Sequence, residues 1–496
     1  MRKILLLFLP LLLALTSCDP TIVNPNNTAN SLCGEWEILT DPSGNMPGIK
    51  VRVQGSQGVV IDPGSSAYAV GDVKWDNIES QGIFFRYDEI TETDSTLPQR
   101  LMLVSEGFLY TNMRRLAINT AEQWAVQKYI PCDTLRLTCE DITRKLILAD
   151  GPSAIDYIVP QNCLLNILDS LIIEPGVTIA FADSAALVTG SFGPALVANG
   201  TAGEPVTFRG LNPSRGSWRG LYFTSDSDNL LDHVVVEHAG QLPVFAGKQA
   251  ASIFTDGGEG TLSIRNTTLR EGLGNGIASQ SNLFSFWICE NNTIETHSEY
   301  PLYIPFDALS NIDGMNSSFT GNDKDTAFIP LVGAFSVDAS STVKKIDLPY
   351  LIEGGTHLVK AILEIEAGVE LIADADAALQ VFDPGTIGNL VISGTSTDPV
   401  IIKGKRSTPG YWAGIYLDLD PSFSAQIDYL EISDAGGAPI NGAIAAANIF
   451  VQAGQLTLQN SSLSNSANCG VALSPNGTLS QTGNSFSNNP GGDICP

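Results

Sequence analysis

The chain has 496 residues, more than one hydrophobic core accommodates, so several domains or an elongated repeat are expected. Only 16 % of the residues are charged, and 47 Gly and 27 Pro favour short strands and frequent turns over helix bundles. Acids outnumber bases 53 to 26; the resulting net charge of -27 repels phosphate backbones, argues against a nucleic-acid partner, and otherwise serves solubility.

Met1, Arg2 and Lys3 make a short positive n-region, followed by an apolar stretch over residues 4–15. That stretch is shorter than the roughly 20 residues a membrane span needs. Leu15, Thr16, Ser17 and Cys18 then resemble a bacterial lipobox. The resemblance implies a signal peptide over residues 1–18, lipidation of Cys18, and a place in the bacterial cell envelope, with the outer membrane as the expected anchor. Residues 19–31 (DPTIVNPNNTANS) are polar and read as a tether.

Seven further cysteines follow at 33, 132, 139, 163, 289, 469 and 495. An oxidising envelope permits disulfides, and the odd count leaves at least one thiol unpaired within the chain. No pair has CxxC spacing, so no zinc site is expected. A bond between Cys469 and Cys495 would pin the chain end.

Residues 32–140 read as a small antiparallel β domain, barrel or sandwich. Strands are expected over residues 35–39, 50–53, 58–61, 82–87, 100–104, 115–118 and 123–129, several of which alternate apolar and polar side chains. Gly34, Glu35 and Trp36 resemble the Gly-x-Trp opening of lipocalin-like barrels, which implies a ligand pocket at a barrel mouth.

The remainder repeats itself. Residues 171–179 (LIIEPGVTI) recur at 363–371 (LEIEAGVEL), and 196–208 (LVANGTAGEPVTF) at 390–402 (LVISGTSTDPVII). Residues 216–222 (GSWRGLY) recur at 410–416 (GYWAGIY), and 231–240 (LDHVVVEHAG) at 427–436 (IDYLEISDAG). Four blocks in one order at nearly one offset are a duplication, with modules over residues 141–330 and 331–496. Within each module a shorter period appears: Asn266, Asn291 and Asn316 each open an Asn-x-x-apolar block, 25 residues apart. Such a period, with short β-rich segments and recurrent Asn and Gly, suits a parallel β-helix, whose rungs stack about 4.8 Å apart and turn sharply at residues tolerant of positive φ. The fold class expected is therefore all-β: a right-handed parallel β-helix of two duplicated modules behind a small antiparallel domain. The Gly-Thr-x-x-x-Pro block and the Gly-x-Trp-x-Gly-x-Tyr block resemble the β-helix repeat of secreted and lipid-anchored proteins of Bacteroides-type bacteria.

Chemistry is harder to find. A polygalacturonase-like site needs a Gly-His-Gly and an Arg-x-Lys segment, and neither occurs. The most suggestive cluster is Asp232, His233, Glu237 and His238, which alternation along one strand divides into His233 with Glu237 and Asp232 with His238. The second module carries Asp428, Tyr429, Ser433 and Asp434 there, so the imidazoles are not part of the repeated pattern. Three acid pairs, Asp226/Asp228, Asp374/Asp376 and Asp418/Asp420, read first as solvated turns and second as Ca²⁺ ligands; no other cofactor or metal is expected. Trp218, Tyr222, Trp412 and Tyr416 recur in both modules and either stack on sugar rings, if outward, or pack the repeat, which the glycine between them favours.

Two functions follow. One is a non-catalytic binding or adhesion scaffold on the envelope, held to the membrane by its lipid and facing a polysaccharide or a surface protein. The other is a polysaccharide-active lyase or hydrolase on a β-helix, centred on Asp232 to His238. A small-ligand carrier through the N-terminal barrel is a third.

Overall fold

The computed structural model describes residues 22–23, 34–38, 48–111, 125–128 and 135–496, apart from 55–56, 82–83, 92, 94, 106–107, 138, 144, 191–194, 225, 258–259, 281–284, 315, 333–335, 383–387 and 441–444. The expected signal peptide, Cys18, Cys33, Cys132 and the strand at 115–118 lie outside the described residues. So does most of the expected tether, but Ile22 and Val23 form a short strand parallel to Arg136 and Leu137. This corrects a purely coiled reading; two consecutive β-branched apolar residues suit a strand.

The chain divides into two units, residues 1–138 with 149–157, and residues 139–148 with 158–496. The first is a closed antiparallel barrel of eight strands, Gly34–Ile38, Lys50–Gln54, Gln57–Asp62, Val73–Gln81, Phe84–Ile90, Thr96–Ser105, Phe108–Thr111 and Ala125–Lys128. Each pairs with its sequence neighbour, and the last closes on the first through Trp36 and Gln127. Two of these strands, Val73–Gln81 and Phe108–Thr111, were not among the seven expected. Trp75 and Tyr87 meet edge to face at 6.2 Å, both buried with Val51, Val53 and Val60.

The second unit is the right-handed parallel β-helix, the hand that parallel crossovers take. It starts close to the expected residue 141: Leu146–Leu148 pairs in register with Ser170–Ile173, and Cys139 is bonded to Cys163. Each rung of the first module supplies three strands. Those of the first sheet include Ser170–Ile173, Ala195–Asn199, Asp228–Asp232, Thr261–Arg265 and Ser285–Glu290. Those of the second include Thr178–Phe181, Val206–Gly210, Val234–Glu237, Thr268–Arg270 and Thr293–Glu295. The third sheet begins Leu164–Ile167, Ala186–Thr189, Gly220–Phe223, Ala251–Thr255, Asn275–Ser279 and Leu302–Tyr303, and runs on through the second module to thirteen strands.

Parallel register stacks like on like. Ile173, Ala198, Leu231, Ile264 and Cys289 form one inward column of the first sheet, each 1 % exposed or less. Burying each large aliphatic side chain there contributes on the order of 2 kcal/mol. Cys289 is in this column as a small hydrophobe; burial pushes its thiol up to about 12.

The two modules use the sheets differently. Thr178–Phe181 is in the second sheet, but its repeat equivalent Glu370–Ala373 is in the third. Ala186–Thr189 is in the third, and its equivalent Ala378–Phe382 is in a fourth, ten-stranded sheet. The exchange takes place across residues 296–350, where the repeat blocks are silent. At the far end, Cys469 and Cys495 are bonded, as expected of a bond that pins the chain end. The bond pins the strand Gly492–Cys495 to Cys469–Thr482 but does not cover the end: Ile494 is 40 % exposed.

Candidate functional site

His233 and His238 are corners, and the strand expected to carry all four candidate residues is broken at both. Their φ angles are 50° and 66°, in the left-handed region, with strand before His233 and between the two, and a loop after His238. Tyr429 and Asp434, their counterparts, have φ of 49° and 68°. The backbone bonds repeat as well. Val206 N donates to His233 O and His233 N to Arg265 O; Val400 N donates to Tyr429 O and Tyr429 N to Gln459 O. Asn266, Asn291 and Asn316 continue the His233 corner rung by rung at φ of 51°, 55° and 61°. Asparagine suits it because its short amide lowers the cost of the left-handed region. Gly200 and Gly394 sit against this corner, where a Cβ would lie 2.4 and 2.3 Å from the carbonyl oxygens of His233 and Tyr429.

The corner overturns the division expected from alternation. Asp232 and His233, assigned to opposite faces, are in contact: His233 Nδ1 is 2.8 Å from Asp232 Oδ1. Asp232 also accepts from Arg265 Nε at 2.8 Å and Asn266 Nδ2 at 2.9 Å. Burial raises the Asp232 carboxyl, but the bonds from Asn266 and Arg265 and the nearby charges outweigh it and hold the group below the usual carboxylate value. The second module repeats the bond, Asn460 Nδ2 donating to Asp428 Oδ1 at 2.9 Å. An Asp bonded by the Asn of the next corner is thus a part of the repeat. Glu237 accepts from Arg270 Nε at 2.7 Å. Burial lowers the His238 imidazole, and its Nδ1 has no hydrogen-bond partner among the described residues. These acids and imidazoles are spread along two corners and tied into the ladder.

The repeated aromatics are packing elements. Trp218 and Trp412 are 0 % and 1 % exposed, and each indole Nε1 donates at 2.8 Å to a backbone carbonyl, of Glu237 and Ser433. Trp218 stacks on Phe181 with centroids 4.0 Å apart. Tyr222 stacks on Phe254 and is capped edge-on by Phe245, while Tyr416 stacks on Phe450. Both tyrosines are buried, so none of the four rings is available to a sugar. The glycine between each pair is needed for close approach: at Gly220 and Gly414 a Cβ would lie 2.3 and 2.5 Å from the carbonyls of Ala251 and Ala447.

The acid pairs are likewise engaged. Asp228 accepts from Thr261 Oγ1 at 2.7 Å, Asp420 from Ser422 N at 2.8 Å, and Asp374 from Lys405 and Tyr411 at 3.0 and 3.1 Å. Among the described residues no three His, Cys, Asp or Glu side chains converge as a metal-ligand set.

A different group emerges at the joint between the modules. Leu302 and Ala327 point inward, so Tyr303 and Phe328, in register one rung apart, point out from the third sheet. Phe328 stacks on Tyr303 at 5.1 Å and on Tyr300 at 4.8 Å, and all three rings are half-buried. The Lys324 ammonium lies 4.6 Å over Tyr300 and pairs with Glu299. Glu353 lies close enough to bear on Tyr303 electrostatically, and Tyr300 on Lys405, which pairs with Asp374 at 3.0 Å. Half-exposed aromatics ringed by ammonium and carboxylate groups can take the apolar face of a ring-shaped ligand and bond its hydroxyls. Sequence reasoning passed over these residues because they fall outside the repeated blocks.

The fold thus defines an all-β protein, a parallel β-helix with an antiparallel barrel. No protein-family model matches the chain, and no curated protein matches its sequence.

Proposed function

We propose that this chain is a lipid-anchored envelope protein that acts as a non-catalytic binding scaffold, with glycans as its ligand class. The half-buried ladder of Tyr300, Phe328 and Tyr303 carries the reading, because it leaves aromatic surface in solvent on a parallel sheet that continues through both modules. The engagement of Asp232, His233 and Glu237 in corner bonds supports binding over bond cleavage. The lipobox-like residues ending in Cys18 support the anchor, and the charge of -27 supports a partner other than nucleic acid.

The test is a glycan array on the purified chain, followed by a reducing-sugar measurement on each polysaccharide that binds. Binding without new reducing ends is expected, weakened in Tyr303→Ala and Tyr300→Ala. New reducing ends would overturn the non-catalytic reading. For the anchor, metabolic labelling with a palmitate analogue should mark the wild type and not Cys18→Ala.

A further inference from the structure

The joint that builds the aromatic ladder also opens a cleft. Past the last strand of the second sheet, Thr293–Glu295, backbone pairing continues to Ser318, and Asp347 then accepts the backbone N–H of Phe319 at 3.0 and 3.2 Å. Beside it lies a cleft of about 640 Å³ lined by Asp313, Gly314, Lys344, Lys345, Ile346, Asp347 and Glu366. A smaller lobe of about 220 Å³ shares Lys345, Ile346 and Asp347 and extends to Glu370. The larger lobe falls within the usual size of a small-molecule site, roughly 300–1,000 Å³.

Its lining has a definite chemical character. Lys345 pairs with Asp398 at 2.8 Å, Lys403 with Glu370 at 2.7 Å, and Asp347 holds Phe319. Lys344 and Glu366 do otherwise. Neither the Lys344 ammonium nor the Glu366 carboxylate forms a hydrogen bond or ion pair among the described residues. Thr342 pairs with Glu364 and Val343 with Ile365, and Lys344 and Glu366 are the next residues of those two segments, both lining the larger lobe. A free donor and a free acceptor, too far apart to pair with each other, therefore line one lobe together with the largely buried Ile346. A ligand matching that pair must accept from one group and donate to the other within a short span, which a sugar hydroxyl pair does. Three carboxylates against two ammonium groups disfavour a phosphate or a uronate.

From this we infer that the cleft is a neutral-saccharide subsite, with Lys344 donating to and Glu366 accepting from adjacent hydroxyls of one sugar unit. The inference rests on the glycan-binding reading above and assigns it a second contact point, distinct from the aromatic ladder.

The experiment is isothermal titration of the full chain with laminarin, dextran and mannan as neutral probes, and with polygalacturonate and inorganic phosphate as anionic ones. At least one neutral glucan or mannan is expected to bind, and Lys344→Ala and Glu366→Ala each to weaken it about tenfold, the loss of one charged hydrogen bond. Thermal unfolding of both variants should match the wild type, since neither side chain holds the coil together. If the variants bind as the wild type does while Tyr303→Ala is impaired, the cleft inference falls and the binding reading stands. Preference for polygalacturonate or phosphate overturns the neutral-ligand assignment. If no polysaccharide binds the wild type, the binding reading itself fails.

Discussion

His233 and Tyr429 hold the same backbone corner in the two modules, with φ of 50° and 49° and the same pair of main-chain hydrogen bonds. What the position selects is a residue able to adopt the left-handed region, and imidazole is one solution among several.

That relationship gives the first prediction. His233→Asn should be neutral or stabilising, since the three corners that follow are asparagine. His233→Val should lose about 1–2 kcal/mol, because a β-branched side chain meets the carbonyl in that conformation. Both variants remove the contact with Asp232, so their difference isolates the backbone. Urea unfolding at constant slope measures it; equal midpoints would rule out the corner as the constraint.

The buried histidines set a pH dependence. His297 is fully buried, with Nδ1 bonded to Glu295 O and Nε2 to Ser252 Oγ, both at 2.9 Å. Burial pushes His297 and His357 down to about 4. Between that value and the unfolded value of 6.5 the unfolded chain holds protons that the folded chain does not, so stability rises with pH. The contribution is complete above the unfolded value and is lost as the pH falls towards about 4. His297→Gln should flatten its own share of that loss and leave the share of His357. A profile unchanged in the variant would mean that His297 is protonated in the folded state.

The tryptophans separate packing from ligand binding. Trp218→Phe keeps a ring beside Phe181 but removes the donor to Glu237 O, at an expected loss of about 1 kcal/mol. Trp218→Ala should lose about 3–5 kcal/mol through the cavity it leaves. Glycan binding by the Phe variant should equal that of the wild type, and a selective loss of binding would show that the indole is reached after all.

Cys469 and Cys495 close 26 residues, a loop whose cross-link is worth about 3 kcal/mol in the chain-entropy view. In a coil where each rung touches only its neighbours, the effect should stay local. Hydrogen exchange in Cys495→Ser is expected to quicken at Gly492–Cys495 and Ser485–Ser487 while Ser170–Ile173 keeps its protection. Faster exchange throughout would instead indicate one cooperative unit.

Much of the architecture was legible because the coil repeats its demands. The blocks around Gly200 and Gly394 recur because a corner carbonyl leaves no room for a Cβ, and Asn266, Asn291 and Asn316 recur because the turn is left-handed. Side-chain direction was legible only between corners. Period-2 counting failed at Asp232 and His233 because a left-handed residue resets the alternation, and the 33 residues from His233 to Asn266, against 25 between the later asparagines, kept the shared corner from showing. The packing of Tyr222 was favoured by the neighbouring glycine, but its cover was not legible, because it comes from Val244 and Phe245, in a segment with no repeated pattern. The aromatic ladder and the lysine side of the cleft were invisible because they fall in residues 296–350, outside the aligned blocks, and Glu366, inside one, has a counterpart only in Glu174.

The exchange of sheets between the modules bears on how such a chain lengthens. Because Thr178–Phe181 and Glu370–Ala373 descend from one ancestral strand yet sit in different sheets, the second copy is not simply the first translated along the coil. A plain repeat of the first module does not account for that offset, and the two modules meet through a splice between them. Residues 296–350 are that splice, which keeps the Asn316 corner but little else of the repeated pattern, and so the stretch of the coil where new surface chemistry could arise with the least penalty to folding.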